Sequence, residues 1–320
     1  MKKLLKAISK LKVAVVGDVI LDHYVWGDTD RVSPEAPVVV VDVKQDTWFA
    51  GGAANVAIDA SQLDAKVILF GSTGADEASV TLSNMLLDED VDFRRSQAIE
   101  AAPTIVKSRV VAKGQQLIRI DRNGNPQHYI PSLSFLKKML NTISSVDCLI
   151  ISDYARGFLD DNILRSLIET ARSQKKFVAL DTKPRRKLNF ANPTLLTANR
   201  SEAFMLAEMF DDDPSILPID ALASSIYKRH APEYLVITLG KDGMYICRKS
   251  KPLKYIPTMA RDVCDTSGAG DAVTTALSLA MCAGADFEEA AKFANVAAGI
   301  VVGKMGSSTI SADELKSFKL

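Results

Sequence analysis

Short apolar runs alternate with amphipathic stretches along most of the chain. Residues 13–16, 66–70, 148–152, 177–180, 194–196 and 234–238 are each continuous in apolar or small side chains, the pattern of strands buried on both faces. Between them, stretches near 53–63, 77–88, 161–173, 201–209 and 219–229 repeat apolar positions at helical spacing. This alternation predicts an α/β fold, a three-layer α/β/α sandwich with a mostly parallel central sheet. After Thr238 the rhythm changes. Gly240-Lys-Asp-Gly243 separates two strand-like runs and predicts a hairpin at the sheet edge, and helices rich in small residues follow at about 270–283 and 287–302.

Two segments break the rhythm. Residues 37–43 are β-branched and run toward Trp48, and 104–120 reads as two strands, 105–111 and 116–120, around Ala112-Lys-Gly114. Both predict a small β-sheet lid over the C-terminal ends of the parallel strands, where open α/β sheets bind their ligands. No repeat or low-complexity linker divides the chain. The expectation is one domain over 1–320, with lid segments at about 37–49 and 104–121.

Charge narrows the partners. Lys plus Arg (39) balances Asp plus Glu (39) and no basic run occurs, which argues against nucleic acid or a membrane and leaves phosphate-bearing small molecules open. Lys6, Lys10 and Lys12 interrupt the first apolar residues, and no run is long enough to span a bilayer. Four scattered cysteines without a CxxC pair fit a reduced compartment, so the expected location is the cytoplasm.

Several local patterns carry chemistry. Asp265-Thr-Ser-Gly268-Ala269-Gly270-Asp271 precedes a helix-prone run. Glycines flanking a small residue turn successive N–H groups toward one point, an anion nest at a helix start. A carboxylate there can take a proton from a hydroxyl while the amides stabilise a transferring phosphoryl group; a plain helix cap uses the same residue types. Asp18 and Asp22, at the end of the first strand, suit hydrogen bonding to sugar hydroxyls, or a capped strand-end turn. Gly51-Gly52-Ala-Ala-Asn55 opens a helix with no bulky side chain, so a ligand can approach the backbone. In Asn199-Arg200-Ser201-Glu202, Glu202 can orient Mg²⁺ through water while Asn199 faces a phosphate, and the same residues make a capping box. Thr238, Gly240 and Gly243 can present amides and a hydroxyl to nucleotide phosphates, or form a simple hairpin. The three histidines lack metal-ligand spacing. Neither a Walker A motif nor a GxGxxG turn is present.

Taken in order, these motifs resemble the ribokinase-like, phosphofructokinase-B type carbohydrate kinases over essentially the whole chain. The resemblance implies Asp271 as catalytic base, the amides of 268–270 as anion hole, Asn199 and Glu202 for Mg²⁺ and phosphate, and Thr238 and Gly240 at the nucleotide. Asp18, Gly51, Gly52 and Asn55 would hold the sugar. It implies ATP and Mg²⁺ and allows a monovalent cation.

A narrower resemblance is to kinases of D-glycero-β-D-manno-heptose 7-phosphate, which phosphorylate O1 on the way to ADP-heptose and lipopolysaccharide. It lies in 17–24, 31–37, 115–121, Ser152-Asp-Tyr-Ala-Arg-Gly157 and 301–309. Asp181-Thr-Lys183-Pro departs from the Asp-Pro-Lys-Gly those kinases resemble. A nucleotidyltransferase domain, which follows the kinase in many relatives, is expected on a separate protein. Lys107, Arg109, Arg119, Lys183 and Arg185 are the candidate ligands of the 7-phosphate. The alternatives are another sugar or nucleoside kinase of the same fold, acting on ribose, fructose or a phosphorylated hexose, and a non-catalytic sugar-phosphate sensor. Apolar β-branched residues in the lid predict a homodimer through it.

Overall fold

The computed structural model describes residues 1–97, 102–184, 190–210, 216–260 and 263–318. The N-terminal part contains α1 (Lys2–Ile8), β1 (Lys12–Gly17), β2 (Val19–Val32), β3 (Val39–Gly52), α2 (Ala53–Gln62), β4 (Lys66–Thr73), α3 (Glu77–Asp88) and β5 (Asp92–Gln97). The middle contains β6 (Val106–Ala112), β7 (Gln115–Arg122), α4 (Leu133–Ile143), β8 (Cys148–Asp153), α5 (Asp161–Ser173), β9 (Phe177–Thr182), β10 (Leu195–Asn199) and α6 (Arg200–Ala207). Then come α7 (Ile219–His230), β11 (Tyr234–Thr238), β12 (Met244–Arg248), β13 (Lys251–Ile256), α8 (Ala269–Cys282), α9 (Phe287–Val301) and α10 (Ala312–Ser317).

Among the described residues, nine strands form one sheet in the order β13-β12-β11-β10-β9-β8-β1-β4-β5. Pairing is parallel from β5 to β11 and antiparallel at β11/β12 and β12/β13, so the glycine turn after Thr238 does make an edge hairpin. Alternate residues of one strand feed opposite layers, which is why the strands read as unbroken apolar runs. Val13 and Val15 enter the core shared with α1, α2, α8 and α9, while Ala14 and Val16 enter the core shared with α4 to α7. No helix among the described residues is long and apolar enough to cross a membrane.

A second sheet, in the order β3-β2-β6-β7, forms the lid. Its strands β3, β6 and β7 run through most of 37–49 and 104–121, and its longest central strand, β2, carries no sequence pattern that announced it. The chain leaves the main sheet at Gly17 and enters the lid at Val19. Asp22 therefore stands on a lid strand and not at the mouth of β1, a correction to the expected carboxylate pair. The register places Asp22 and Tyr24 on the face toward the main sheet, beside Lys107 and Arg109. Trp48, Ile118 and Ile120 lie on the other face and are 41%, 54% and 55% exposed. The short elements α1, β5, α4, β13 and α10 are further additions to the expected set.

Candidate active site

The parallel strands end beside a cavity of about 490 Å³. Asp181 from the end of β9, Asn199 from β10 and Thr238 from β11 line it, as do Lys183, Glu202, Gly240 and Gly243. The turn 268–271 forms another wall, and Asn295, Ala298 and Gly299 of α9 a third. Gly240 and Gly243 have φ of 59° and 95°, and a Cβ on Gly243 would lie 2.1 Å from the Ile256 carbonyl oxygen. Only glycine fits there. Arg200 lies with its Nη2 3.6 Å from Asp242, tying α6 to this turn, and Ser201 faces a neighbouring recess.

Gly268, at φ 81°, caps α8, so Asp271 falls in the helix's first turn, where N–H groups have no intrahelical acceptor. Gly270 is exposed, with no atom near the place a Cβ would take. A reacting group can therefore reach these amides. Asp271 itself is 4% exposed. Its Oδ1 accepts from the Tyr154 hydroxyl at 2.9 Å and its Oδ2 from Asn55 Nδ2 at 3.1 Å. Burial and the nearby Asp181 push its pKa up to about 6, while Lys183, Asn55 and Tyr154 hold it down. A carboxylate poised there is ionised at neutral pH yet basic enough to take a hydroxyl proton. The Asn55 side-chain oxygen is buried with no hydrogen-bond partner among the described residues.

A second charge cluster lies on the β9–β10 side. Lys183 Nζ is 3.2 Å from both Asp181 oxygens and 3.2 Å from Glu202 Oε1. Burial opposes its charge, but Asp181, Glu202 and Asp271 outweigh it and raise its pKa. Asn199 and Glu202 form the capping box: Asn199 Oδ1 accepts from Glu202 N at 2.9 Å, and Glu202 Oε2 from Asn199 N at 2.7 Å. Glu202 thus caps α6 with one oxygen and faces Lys183 with the other. No cluster of three or more metal-ligating side chains is found among the described residues. Mg²⁺ does not need one, since it keeps several waters and binds through one or two carboxylates and substrate phosphates. Glu202 beside Asp181 fits that water-mediated mode.

On the lid side, Asp22 is 5% exposed; its Oδ1 accepts from Arg109 Nη1 at 2.6 Å and its Oδ2 from Ser307 Oγ at 2.9 Å. Any Cβ on Gly51 would come within 2.5 Å of that Oδ2, and one on Gly52 (φ 58°) within 2.4 Å of the Asp18 carbonyl oxygen. Asp18 departs from the expected sugar contact. Its carboxylate accepts from the backbone N–H groups of Tyr154, Arg156 and Phe158 at 2.9, 3.0 and 3.0 Å, and it is 2% exposed. Both oxygens are occupied in holding the loop after β8. Arg119 is paired with Asp121, and Arg185 lies outside the described residues.

The profile of the pfkB family carbohydrate kinases matches residues 10–314. The chain belongs to that family. It is 38% identical over 308 residues to the Bifunctional protein HldE of Helicobacter hepaticus, covering 96% of this chain and 63% of that protein. The Actinobacillus succinogenes protein of the same name is 40% identical over 308 residues, with the same 96% and 63% coverage. The chain thus spans a little under two thirds of the length of these relatives. Its backbone matches ribokinase of Arabidopsis thaliana, solved with ribose and ATP, with TM-score 0.71 and 22% identity over 97% of this chain and 100% of that one. Phosphofructokinase-2 of Escherichia coli, solved with potassium, gives TM-score 0.75 and 18% identity over 96% and 97%. The expected ribokinase-like sandwich with a β lid is the observed fold.

Tyr154 and Arg156, which line the cavity and its neighbouring recess, enter the sequence reading only within the stretch 152–157 that carries the narrower resemblance. Tyr154 donates its hydroxyl to Asp271, and its ring lies 5.0 Å from Lys107 Nζ and 5.1 Å from Lys183 Nζ. Arg156 follows on the same loop. The available signal was the polar Ser152-Asp-Tyr-Ala-Arg-Gly157 at the end of an apolar strand, the place where α/β folds put ligands.

Proposed function

We propose that the protein phosphorylates O1 of D-glycero-β-D-manno-heptose 7-phosphate with ATP, giving the 1,7-bisphosphate for ADP-heptose and lipopolysaccharide synthesis in the cytoplasm. The observation that carries the chemistry is Asp271, buried beside Gly270's open surface and held by Asn55 and Tyr154. The heptose phosphate rests on the sequence stretches named above and on cations gathered under the lid.

In this reading ATP lies along the α9 wall, its phosphates directed to Thr238, Asn199 and the α8 start. The Asp271 carboxylate takes the proton from O1 as that oxygen attacks the γ-phosphorus, and the bond from phosphorus to the β-phosphate oxygen breaks, releasing ADP. The amides of 268–270 meet the charge that gathers on the transferring group, the larger part of catalysis in such in-line transfers. Asn55 and Tyr154 hold the base in line. Mg²⁺, held through water by Glu202 with Asp181 near, would neutralise charge on the nucleotide phosphates when bound. Two copies would pair through the apolar outer face of the lid.

A panel of sugars coupled to ADP release tests this. The heptose 7-phosphate should be used best. If ribose, fructose or a hexose phosphate has the higher kcat/KM, the heptose assignment falls and that other sugar takes its place; if no sugar yields ADP, the kinase mechanism falls.

A further inference from the structure

Next to the main cavity, and joined to it at Tyr154 and Lys183, lies a recess of about 290 Å³ whose other cations are Lys107 and Arg156. The cations under the lid differ in what they have left to offer. Lys183 is occupied by Asp181 and Glu202, and Arg109 by Asp22. Lys107 Nζ makes no hydrogen bond or ion pair among the described residues; it rests over the Tyr154 ring. Arg156 is 14% exposed, its Nε is buried without a hydrogen-bond partner, and its nearest carboxylate, Asp121, is 3.8 Å away. That carboxylate already accepts from Arg119 at 2.8 and 3.2 Å.

A half-buried ammonium with no direct carboxylate partner, beside a guanidinium whose carboxylate lies at 3.8 Å and is shared with Arg119, is costly, so the pocket favours a further negative charge that arrives with a ligand. The fold commits backbone to this arrangement. Asp18 holds the loop through the N–H groups of Tyr154, Arg156 and Phe158. Ala155 sits at φ 54°, and a Cβ on Gly157 (φ 116°) would meet the Pro126 carbonyl oxygen at 2.0 Å. Tyr154 also sets the scale. Its hydroxyl touches Asp271 and its ring carries the Lys107 ammonium, so the free cation lies about one phenol ring from the base. A sugar presenting a hydroxyl at one end to Asp271 would bring a phosphate at its other end into this recess.

We propose that Lys107 and Arg156 are the ligands of the phosphate that the sugar substrate carries, and that they set the enzyme's preference for a phosphorylated sugar. This rests on the reading of the protein as a kinase of a sugar phosphate. Arg109 and Lys183 then act elsewhere, one orienting Asp22 and the other beside the transferring group.

The test is the ratio of kcat/KM for heptose 7-phosphate over free heptose, in the full chain and in Lys107→Met and Arg156→Met. The intact protein should show a ratio of about 10²–10⁴, the factor for two charge-assisted hydrogen bonds. Each substitution should lower it roughly 10–100-fold, through KM for the phosphorylated sugar. Lys107→Arg and Arg156→Lys keep the charge and should retain most of the ratio, which separates loss of the ligand from loss of the fold. If the intact protein does not discriminate, the sugar-phosphate reading fails and the subsite with it. If the intact protein discriminates and both Met variants discriminate as well, the subsite alone is wrong. A rise in KM for ATP that is the same with either sugar would also overturn it and assign these cations to the phosphoryl donor.

Discussion

Asp271→Asn should slow the enzyme and stabilise it at once. The replacement keeps the shape and removes the proton acceptor, so kcat should fall by about 10²–10⁴, the usual contribution of a general base. Local geometry can absorb the change. Tyr154 still donates to the remaining oxygen, and the new amide nitrogen faces Asn55, whose own side-chain oxygen is buried without a partner. Rotating the Asn55 amide turns a donor–donor clash into a hydrogen bond. The stability gain comes from the burial that raises the Asp271 pKa. Raising the carboxyl from 3.8 to about 6 disfavours the ionised native state by about 3 kcal/mol, at 1.36 kcal/mol per unit.

Because the folded pKa lies above the unfolded one, the native state binds the proton more tightly. The penalty is absent below pH 3.8, grows between 3.8 and about 6, and is complete above that. Scanning calorimetry of the protein free of ligands should therefore show Asp271→Asn melting roughly 4–5 °C higher at pH 7.5, at about 2.1 cal/mol/K per residue, with the gain shrinking toward zero near pH 4. A gain that is equal at both pH values would refute the buried-charge account, and turnover within a few-fold of the unmodified protein would refute the base.

Three other perturbations probe the same framework. Tyr154→Phe removes a hydrogen bond that helps to hold the Asp271 pKa down, so the acid limb of the kcat/KM profile should move to higher pH and the rate should fall on the order of 10-fold; an unmoved limb would exclude the contact. Gly157→Ala puts a Cβ against the Pro126 carbonyl oxygen at a φ of 116°, and should cost on the order of 1–3 kcal/mol in urea unfolding or displace the loop. A neutral effect would mean that the loop's conformation is easily changed. Ile118→Asp with Ile120→Asp charges the exposed lid face and should convert a dimer to a monomer in light scattering, whereas a protein that is monomeric before substitution ends the dimer proposal.

What could be read beforehand, and what could not, follows from the range of the interactions. β1, β4, β8 and β11 were legible because a strand buried on both faces must be apolar throughout, a local requirement. The turn at Gly268 was legible for the same reason: its φ of 81° calls for glycine from its own backbone. β2 was not, since its inner half is apolar and its outer half charged, a mixture of environments along one strand. Asp18 read as a sugar ligand because its type and strand-end position fit one. Its actual partners are N–H groups of a loop 136 to 140 residues away.

The cations make the point most sharply. Lys107, Arg109, Arg119 and Lys183 are equivalent as letters, and Arg156 is not among the candidate phosphate ligands that the sequence suggests. What separates them is which carboxylate each one meets in space. Asp22 takes up Arg109, Asp181 with Glu202 takes up Lys183, and Asp121 takes up Arg119 closely and Arg156 only at 3.8 Å. Acid–base neutrality of the whole chain hides this, because the balance of 39 against 39 is satisfied whether or not the pairs are formed at the site. In the proposed subsite, a ligand phosphate is met by the charges that this internal pairing engages least. The specificity of such a pocket is therefore carried as much by the acidic residues that remove Arg109 and Lys183 from competition as by the two cations that remain.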